Sequence, residues 1–374
     1  MSSRECAYAS PAEADHLSAP RASSHDLSPS PASDQTPAAA AVSNVNPWTA
    51  VALSGPSISD GSAGGPPTDE NPDGVLNLAH MELFIHAMLE KDLMALGRVD
   101  IELEPFTMAI ALETARDAPY LLHAMLGFSA RHLAFLNPTR SASYLHQAVA
   151  LQTRAVSLFN ASWTEVNESN CVAILLFSTT VGHQILTDTL ARREPGGLDN
   201  FLHGYVQCIK VHRGVHTIAV TAQQLLMESR IWPILAWSAE LTSRSPSGRH
   251  CQGITRLVDE AVGMAESEKV ACRDAINYLQ VGLDALFSEN ESTSRRYQMI
   301  SSWTLLVSPE FADLLEAKRP EVLVILAHYA LLLYHGRHIW QVGDSGTYVF
   351  GLISEYLGPD WAEWLEYPRA QMVQ

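Results

Sequence analysis

The sequence predicts an all-α fold. Three observations carry this. Apolar residues recur three and four apart through most of residues 75–368. No run shows strand-like alternation closed by hairpin turns. Within residues 119–137, Leu121, Met125, Phe128 and His132 form one row, and Leu122, Leu126, Ser129 and Leu133 form a second beside it. The stripe is wider than a solvent-facing helix needs, so other helices must cover it, and the segment reads as a central rod.

Residues 1–74 are a different material. They hold ten of the 20 prolines, abundant Ser, Ala and Gly, and no lysine. Such a stretch buries too little apolar surface to offset its chain entropy, so a disordered linker is expected over 9–74. Ordered sequence begins near Val75. Residues 75–96 read as an amphipathic helix on Leu76, Leu83, Phe84, Met88, Leu89 and Leu93, closed by Gly97. A short helix over 105–116 precedes the rod, which Pro119 opens and Asn137-Pro138 ends. Residues 141–159 repeat the pattern through Tyr144, Ala148, Leu151, Ala155 and Leu158. The next helix starts at Glu168 with Val172, Leu175, Leu176 and Thr179 inward, and the Pro-Gly loop 192–197 ends it. Further helices are expected over 201–220, 228–241 (interrupted by Pro233), 254–267, 272–287, 294–306, 311–317 and 321–340, with a last one to about Leu357.

Charge and cysteine content bound the chemistry. Formal net charge is −17; residues 1–74, with nine acids and two arginines, carry −7 and the remainder −10. Neither part resembles a phosphate-neutralising surface, and no Lys/Arg run marks an import signal. Five scattered cysteines, an odd number without a close pair, read as reduced thiols serving as small core hydrophobes. The apolar run 322–334 is shorter than the roughly 18 residues of a membrane span, so none is expected.

Catalytic patterns are weak. His212 and His216 are four apart and His335 and His338 three apart, spacings that can present two imidazoles on one face. Neither pair has a flanking Glu in the metalloprotease pattern or a readable third ligand. His123, His132 and His328 on apolar faces read as buried, hydrogen-bonded imidazoles. A terpene-cyclase-like helical enzyme would need clustered carboxylates for Mg²⁺, and the chain has no Asp-Asp pair. No Gly-x-Ser-x-Gly elbow or Walker loop is present. The interior is the remaining candidate. Met125, Phe128, Phe135, Phe177, Trp232 and Trp237 could line a ligand cavity, as could Phe287, Trp303, Tyr329, Tyr334 and Trp340, or all could be ordinary core.

Several phrases resemble one family. These are Leu121-Leu-His-Ala124 followed by Ser129-Ala-Arg-His-Leu-Ala134, then Asn170-Cys-Val-Ala-Ile-Leu-Leu-Phe177, and Arg213-Gly-Val215. The most specific is Pro320-Glu-Val-Leu-Val-Ile-Leu-Ala-His-Tyr-Ala330, joined by Trp340 and the ending Trp361-Ala-Glu-Trp-Leu-Glu-Tyr-Pro368. Together they resemble the fungal-specific transcription factor domain of zinc-cluster (Zn2Cys6) regulators, in its sterol uptake control branch. The resemblance implies an all-helical regulatory domain over 75–368 with a tail at 369–374. It implies DNA as a partner through the zinc cluster, coactivators or corepressors, a homodimer, and an apolar small-molecule or sterol ligand. It also implies a nuclear location and control of RNA polymerase II transcription of sterol or secondary-metabolite genes, without enzymatic activity. Arg4-Glu5-Cys6-Ala7-Tyr8 resembles the end of the zinc cluster, which makes residues 1–8 a remnant of that module and Cys6 its last metal ligand. The family's other five cysteines have no counterpart here, and one thiol cannot hold zinc by itself. Zinc is therefore a cofactor only with the upstream cluster present. The alternatives are a non-DNA-binding interaction protein without the zinc module and a helical enzyme; the DNA upstream of Met1 discriminates the first, through five more cysteines at cluster spacing.

One segment has two readings on its own letters. Trp361, Trp364 and Leu365 share a helical face, and Tyr367 follows them, interleaved with Asp360, Glu363 and Glu366. That pattern suits a terminal helix closing the core, and equally an acidic-aromatic surface for a coactivator groove.

Overall fold

A computed structural model describes residues 77–97, 104–193 and 195–373. Cys6, the 1–8 remnant and the 9–74 linker lie outside these residues. The described residues form fifteen α-helices and no strand, so the fold is all-α as expected.

The first five helices are α1 (Leu78–Leu89), α2 (Glu104–Asp117), α3 (Pro119–Leu136), α4 (Ser141–Ala161) and α5 (Cys171–Ala191). Then follow α6 (Gly197–Thr221), α7 (Gln223–Met227), α8 (Trp232–Thr242), α9 (Gln252–Glu260) and α10 (Glu266–Phe287). The chain closes with α11 (Thr293–Leu306), α12 (Pro309–Glu316), α13 (Pro320–His335), α14 (Ser345–Leu357) and α15 (Ala362–Met372). Helix α15 thus runs past residue 368 into the stretch expected as a tail.

Two packing regions result. α1 to α5 gather around α3, with small apolar cores against α4 and against α2 and α5. The larger core is built by α6 and α9 to α15 around α13. Helices α5 and α6 belong to both: Leu186 and Leu190 join the larger core, while Phe177 and Val181 join the smaller. The most enclosed rod is therefore α13 rather than α3. Twelve consecutive residues, Val322 to Leu333, are buried on every side, whereas α3 ends with Phe135 and Leu136 in solvent. Gly346 lets α14 reach α13: a Cβ there would fall 2.3 Å from the Tyr334 amide nitrogen.

Several element boundaries differ from those read in the sequence, each for a local reason. α1 stops at Leu89, where Glu90 turns extended, and a 3₁₀ turn at Ala95–Gly97 replaces its expected last turns. The break lets Leu93 and Leu96 bury against the body. Pro233 opens α8 instead of interrupting it, since a helix's first turn has no need of that N–H. The helix expected over 254–267 divides into α9 and the start of α10. Gly263 takes φ +79° in the connection, and Glu268 folds back to accept the Ala265 N–H at 2.7 Å. Of the inward face read for α5, only Leu175 is buried. Val172, Leu176 and Thr179 are half-buried, while Cys171, Ile174, Phe177, Ser178 and Val181 pack inside. α13 ends at His335 rather than at 340, with Gly336 as its cap.

Among the described residues α5 has the length and apolarity of a membrane-crossing helix, and 72% of its apolar window is buried inside the fold. That is how the core helix of a helical body packs.

Candidate functional site

The aromatic residues that could line a cavity do not converge on one. Trp303 and Tyr329 stack with ring centroids 4.6 Å apart, and Phe311 meets Trp303 edge-on at 5.4 Å. The polar atoms of this stack are satisfied: the Trp303 indole donates to the Ala275 carbonyl at 2.9 Å and the Tyr329 hydroxyl to that of Ile300 at 2.7 Å. This is a packed pillar joining α10, α11 and α13. Phe177 stacks on Phe159 at 4.5 Å, with Tyr120 edge-on to both. Phe128 is buried in a separate small cluster. Phe135 and Phe287 are exposed, and Met125, Trp232, Trp237, Tyr334 and Trp340 are half-buried.

Among the described residues a cleft lies apart from the rings read as cavity-lining. An open cleft of about 380 Å³ separates α2 from the starts of α3 and α5. Ile110, Ala118, Tyr120, Val172 and Ala173 give it apolar walls; Glu113, Thr114, Asp117, Glu168, Ser169 and Asn170 supply polar groups. Arg230, from the α7–α8 turn, pairs with Glu113 at the cleft. A molecule with an apolar body and a hydroxyl or amine head matches this lining.

The histidines resolve one by one. His212 is buried and bonded through Nδ1 to the Thr304 hydroxyl, while His216 is exposed, so the pair diverges. His335 sits edge-on to Phe287 and exposed His338 against Tyr297. Among the described residues no three His, Cys, Asp or Glu side chains gather as a metal site. His123 bonds the Pro119 carbonyl at 2.8 Å. His328 donates Nδ1–H to the Val324 carbonyl at 2.9 Å and stacks on Tyr367; burial holds it down to about 4. His132 is lowered to about 4 by burial first and by neighbouring His86 second. Its Nδ1 lies 3.2 Å from His86 Nε2, and its ring stacks on Trp340 at 4.6 Å. The buried thiols of Cys208, Cys251 and Cys272 are all pushed up by desolvation, which keeps them protonated and poor nucleophiles at neutral pH.

Sequence reasoning missed the seam made by residues 77–97. Here Ser129 donates to the Leu83 carbonyl at 2.7 Å, and Tyr144 to Glu82 at 2.7 Å. At the other end, buried Gln341 accepts the Leu96 N–H at 2.9 Å, and Ser301 donates to the Leu96 carbonyl at 3.3 Å. The arm therefore ties α3 and α4 to α11 and the α13–α14 connection. Ser129 within an apolar row was the one readable sign of such a partner.

The C-terminal segment is docked. Leu365 is fully buried, and Trp361, Trp364 and Tyr367 pack against the larger core. The Tyr367 hydroxyl lies 2.6 Å from His250 Nδ1, and the Arg256 guanidinium stands 5.4 Å from the Trp364 ring centroid. Asp360, Glu363 and Glu366 face solvent.

No family model matches the chain. It is similar to a Zn(2)-C6 fungal-type transcription factor of Gibberella zeae, with 25% identity over 269 residues. The match covers 67% of this chain and 52% of that protein, so the chain spans about half the length of the relative it matches.

Proposed function

We propose that this chain is the regulatory part of a zinc-cluster transcription factor. The observation that carries the reading is the similarity to the Gibberella zeae factor across two thirds of the chain. The all-α body supports it, as do the family phrases, which fall on helices α3, α5, α6 and α13. In this reading DNA is held by a complete zinc cluster, of which Cys6 is the last ligand, and zinc is bound only there. Residues 1–8 are the end of that module, 9–74 a linker, and 75–368 the regulatory domain. The protein acts in the nucleus through coactivators or corepressors, without catalysis, as a homodimer, on pathway-specific sterol or secondary-metabolite genes.

The effector enters the α2–α3–α5 cleft. Its volume of about 380 Å³ and its apolar walls with polar groups suit an amphiphile such as a sterol, held by its apolar body and oriented by its hydroxyl.

The test is a reporter assay. The chain is fused to a foreign DNA-binding module in a fungal host, with the module alone as control. Reporter output that changes on fusion supports the reading; output identical to the module alone opposes it. The cleft is tested by Ala173→Trp, which fills it. The variant should keep the reporter effect and lose its response to added sterol, and an unaltered response removes the cleft as the effector site.

A further inference from the structure

We propose that Ser247 is a phosphoacceptor for a protein kinase that selects basic residues, and that its phosphorylation releases the loop between α8 and α9 from α10. The loop reads Arg244-Ser-Pro-Ser-Gly-Arg249, and all six residues are exposed. Arg244 stands three residues before Ser247 and Arg249 two after it. Basic side chains at such offsets are what an acidic kinase groove reads, and Arg244 exchanges its surface pairs with Glu240 and Glu291 for that groove. Pro246 restricts the backbone beside the acceptor, which suits binding in an extended form.

The structural consequence follows from what holds the loop. One carboxylate, Asp284 on α10, accepts the Ser247 N–H at 2.8 Å, the Gly248 N–H at 3.0 Å and the Ser247 hydroxyl at 3.2 Å. Its other oxygen accepts from Gln280 at 2.6 Å, and Gln280 in turn accepts the Cys251 N–H at 2.7 Å. Burial opposes ionisation of Asp284, and the bonds from Ser247 and Gly248 outweigh it, so the group stays ionised below its ordinary range. The fit leaves no spare room: a Cβ on Gly248 would fall 2.1 Å from Asp284 Oδ1.

In the transfer, the Ser247 oxygen bonds to the γ-phosphorus of ATP and the bond from that phosphorus to the β,γ-bridging oxygen breaks. ADP leaves, and the hydroxyl proton passes to the kinase's base. The product has lost the hydroxyl that donated to Asp284 and sets a phosphate of charge near −2 against that carboxylate. The like charges separate. Arg249, exposed and without an ion pair among the described residues, offers the phosphate a cation on the solvent side; Arg244 is already paired with Glu240 and Glu291.

The experiment treats the full 374-residue chain with ATP and the catalytic subunit of cAMP-dependent protein kinase. Peptide mass mapping locates the phosphate, and amide hydrogen exchange is followed over 245–252. Phosphate on Ser247 with exchange faster by about tenfold or more is expected. Ser247→Ala should take no phosphate in this loop and keep slow exchange after the same treatment. Asp284→Asn should speed exchange without kinase, since a neutral amide is a weaker acceptor for the same donors. Absence of phosphate at Ser247, its appearance on Ser245 instead, or phosphorylation of Ser247 with unchanged exchange would each overturn the proposal.

Discussion

The Trp340 indole N–H points at the backbone carbonyl of Asp92, 2.9 Å away, and lies 3.2 Å from that of Leu93. The two residues are 248 apart in sequence. The contact fastens the stretch after α1: the Asp92 carbonyl accepts the Ala95 N–H of the 3₁₀ turn at 3.2 Å and the indole N–H from the α13–α14 connection as well. The same ring stacks on His132 and packs beside Phe128, so one side chain serves both packing regions. Replacing Trp340 with Phe keeps most of the ring contact and removes the donor. The Asp92 carbonyl keeps the Ala95 N–H at 3.2 Å, so the expected loss is about 0.5–1.5 kcal/mol, the net worth of one ordinary hydrogen bond. Proteolysis at 90–92 should quicken in parallel, and a variant with unchanged stability and cleavage would show that the indole bond does not hold the arm.

Phe128 is the second anchor of that seam. It is 1% exposed and touches Trp340 at a centroid distance of 5.5 Å. Phe128→Ala removes a ring that neighbouring side chains cannot fully replace, at a cost of about 3–5 kcal/mol. Chemical denaturation measures this directly. A midpoint close to wild type would mean that the seam collapses around the gap.

Periodicity read the helices where neighbours make no special demand. Pro119 and Ser141 open α3 and α4 as expected, and α11 and α12 fall within two residues of their expected bounds. It failed where distant groups take part, as after Glu90, where Trp340 bonds the Asp92 and Leu93 carbonyls and Gln341 the Leu96 N–H. The break before α10 was legible in principle, from Gly263 and from Glu268 three residues after Ala265. The candidate site was less legible, because a core residue and a cavity-lining residue need the same side chain. Trp303 and Phe135 look alike as letters; one is fully buried and the other is 57% exposed. The cleft is invisible to patterning because it depends on how α2 meets α5.

Four buried histidines make stability depend on pH. Burial lowers His132, His183 and His328 to about 4 and His212 to about 3, from an ordinary 6.5. Between those values and 6.5 the unfolded chain binds protons that the folded chain does not. Their contribution is therefore complete above about pH 7 and is lost as pH falls through 6 toward 4. Each contributes a slope of at most about 1.4 kcal/mol per pH unit, so the four together approach roughly 5 kcal/mol per unit, steep against a total of about 5–15 kcal/mol. Urea titrations between pH 5 and 8 should show a plateau above 7 and a sharp fall below 6. His328→Gln should remove about one quarter of that slope; an unchanged slope would mean that His328 stays neutral in both states or is protonated in both.

The docked terminal helix makes the last prediction. Leu365 is fully enclosed, and Tyr367 joins His250 on one side and His328 on the other, so α15 completes the larger core. Removing residues 359–374 uncovers part of α13 and leaves His250 without its hydroxyl partner. The melting temperature should fall by several degrees or more, in keeping with loss of at least one buried Leu and several half-buried aromatic rings at about 1.5–3 kcal/mol for each side chain fully buried. Glu363→Gln with Glu366→Gln tests the outward face separately, because both carboxylates stand in solvent and their neutralisation should leave the melt unchanged. A reporter silenced by this pair at full stability would assign the acidic face to a coregulator. A reporter silenced only by the deletion would trace the loss to the fold. A deletion that leaves the melt unchanged would mean that the contacts of Leu365 and Tyr367 contribute nothing to holding the core.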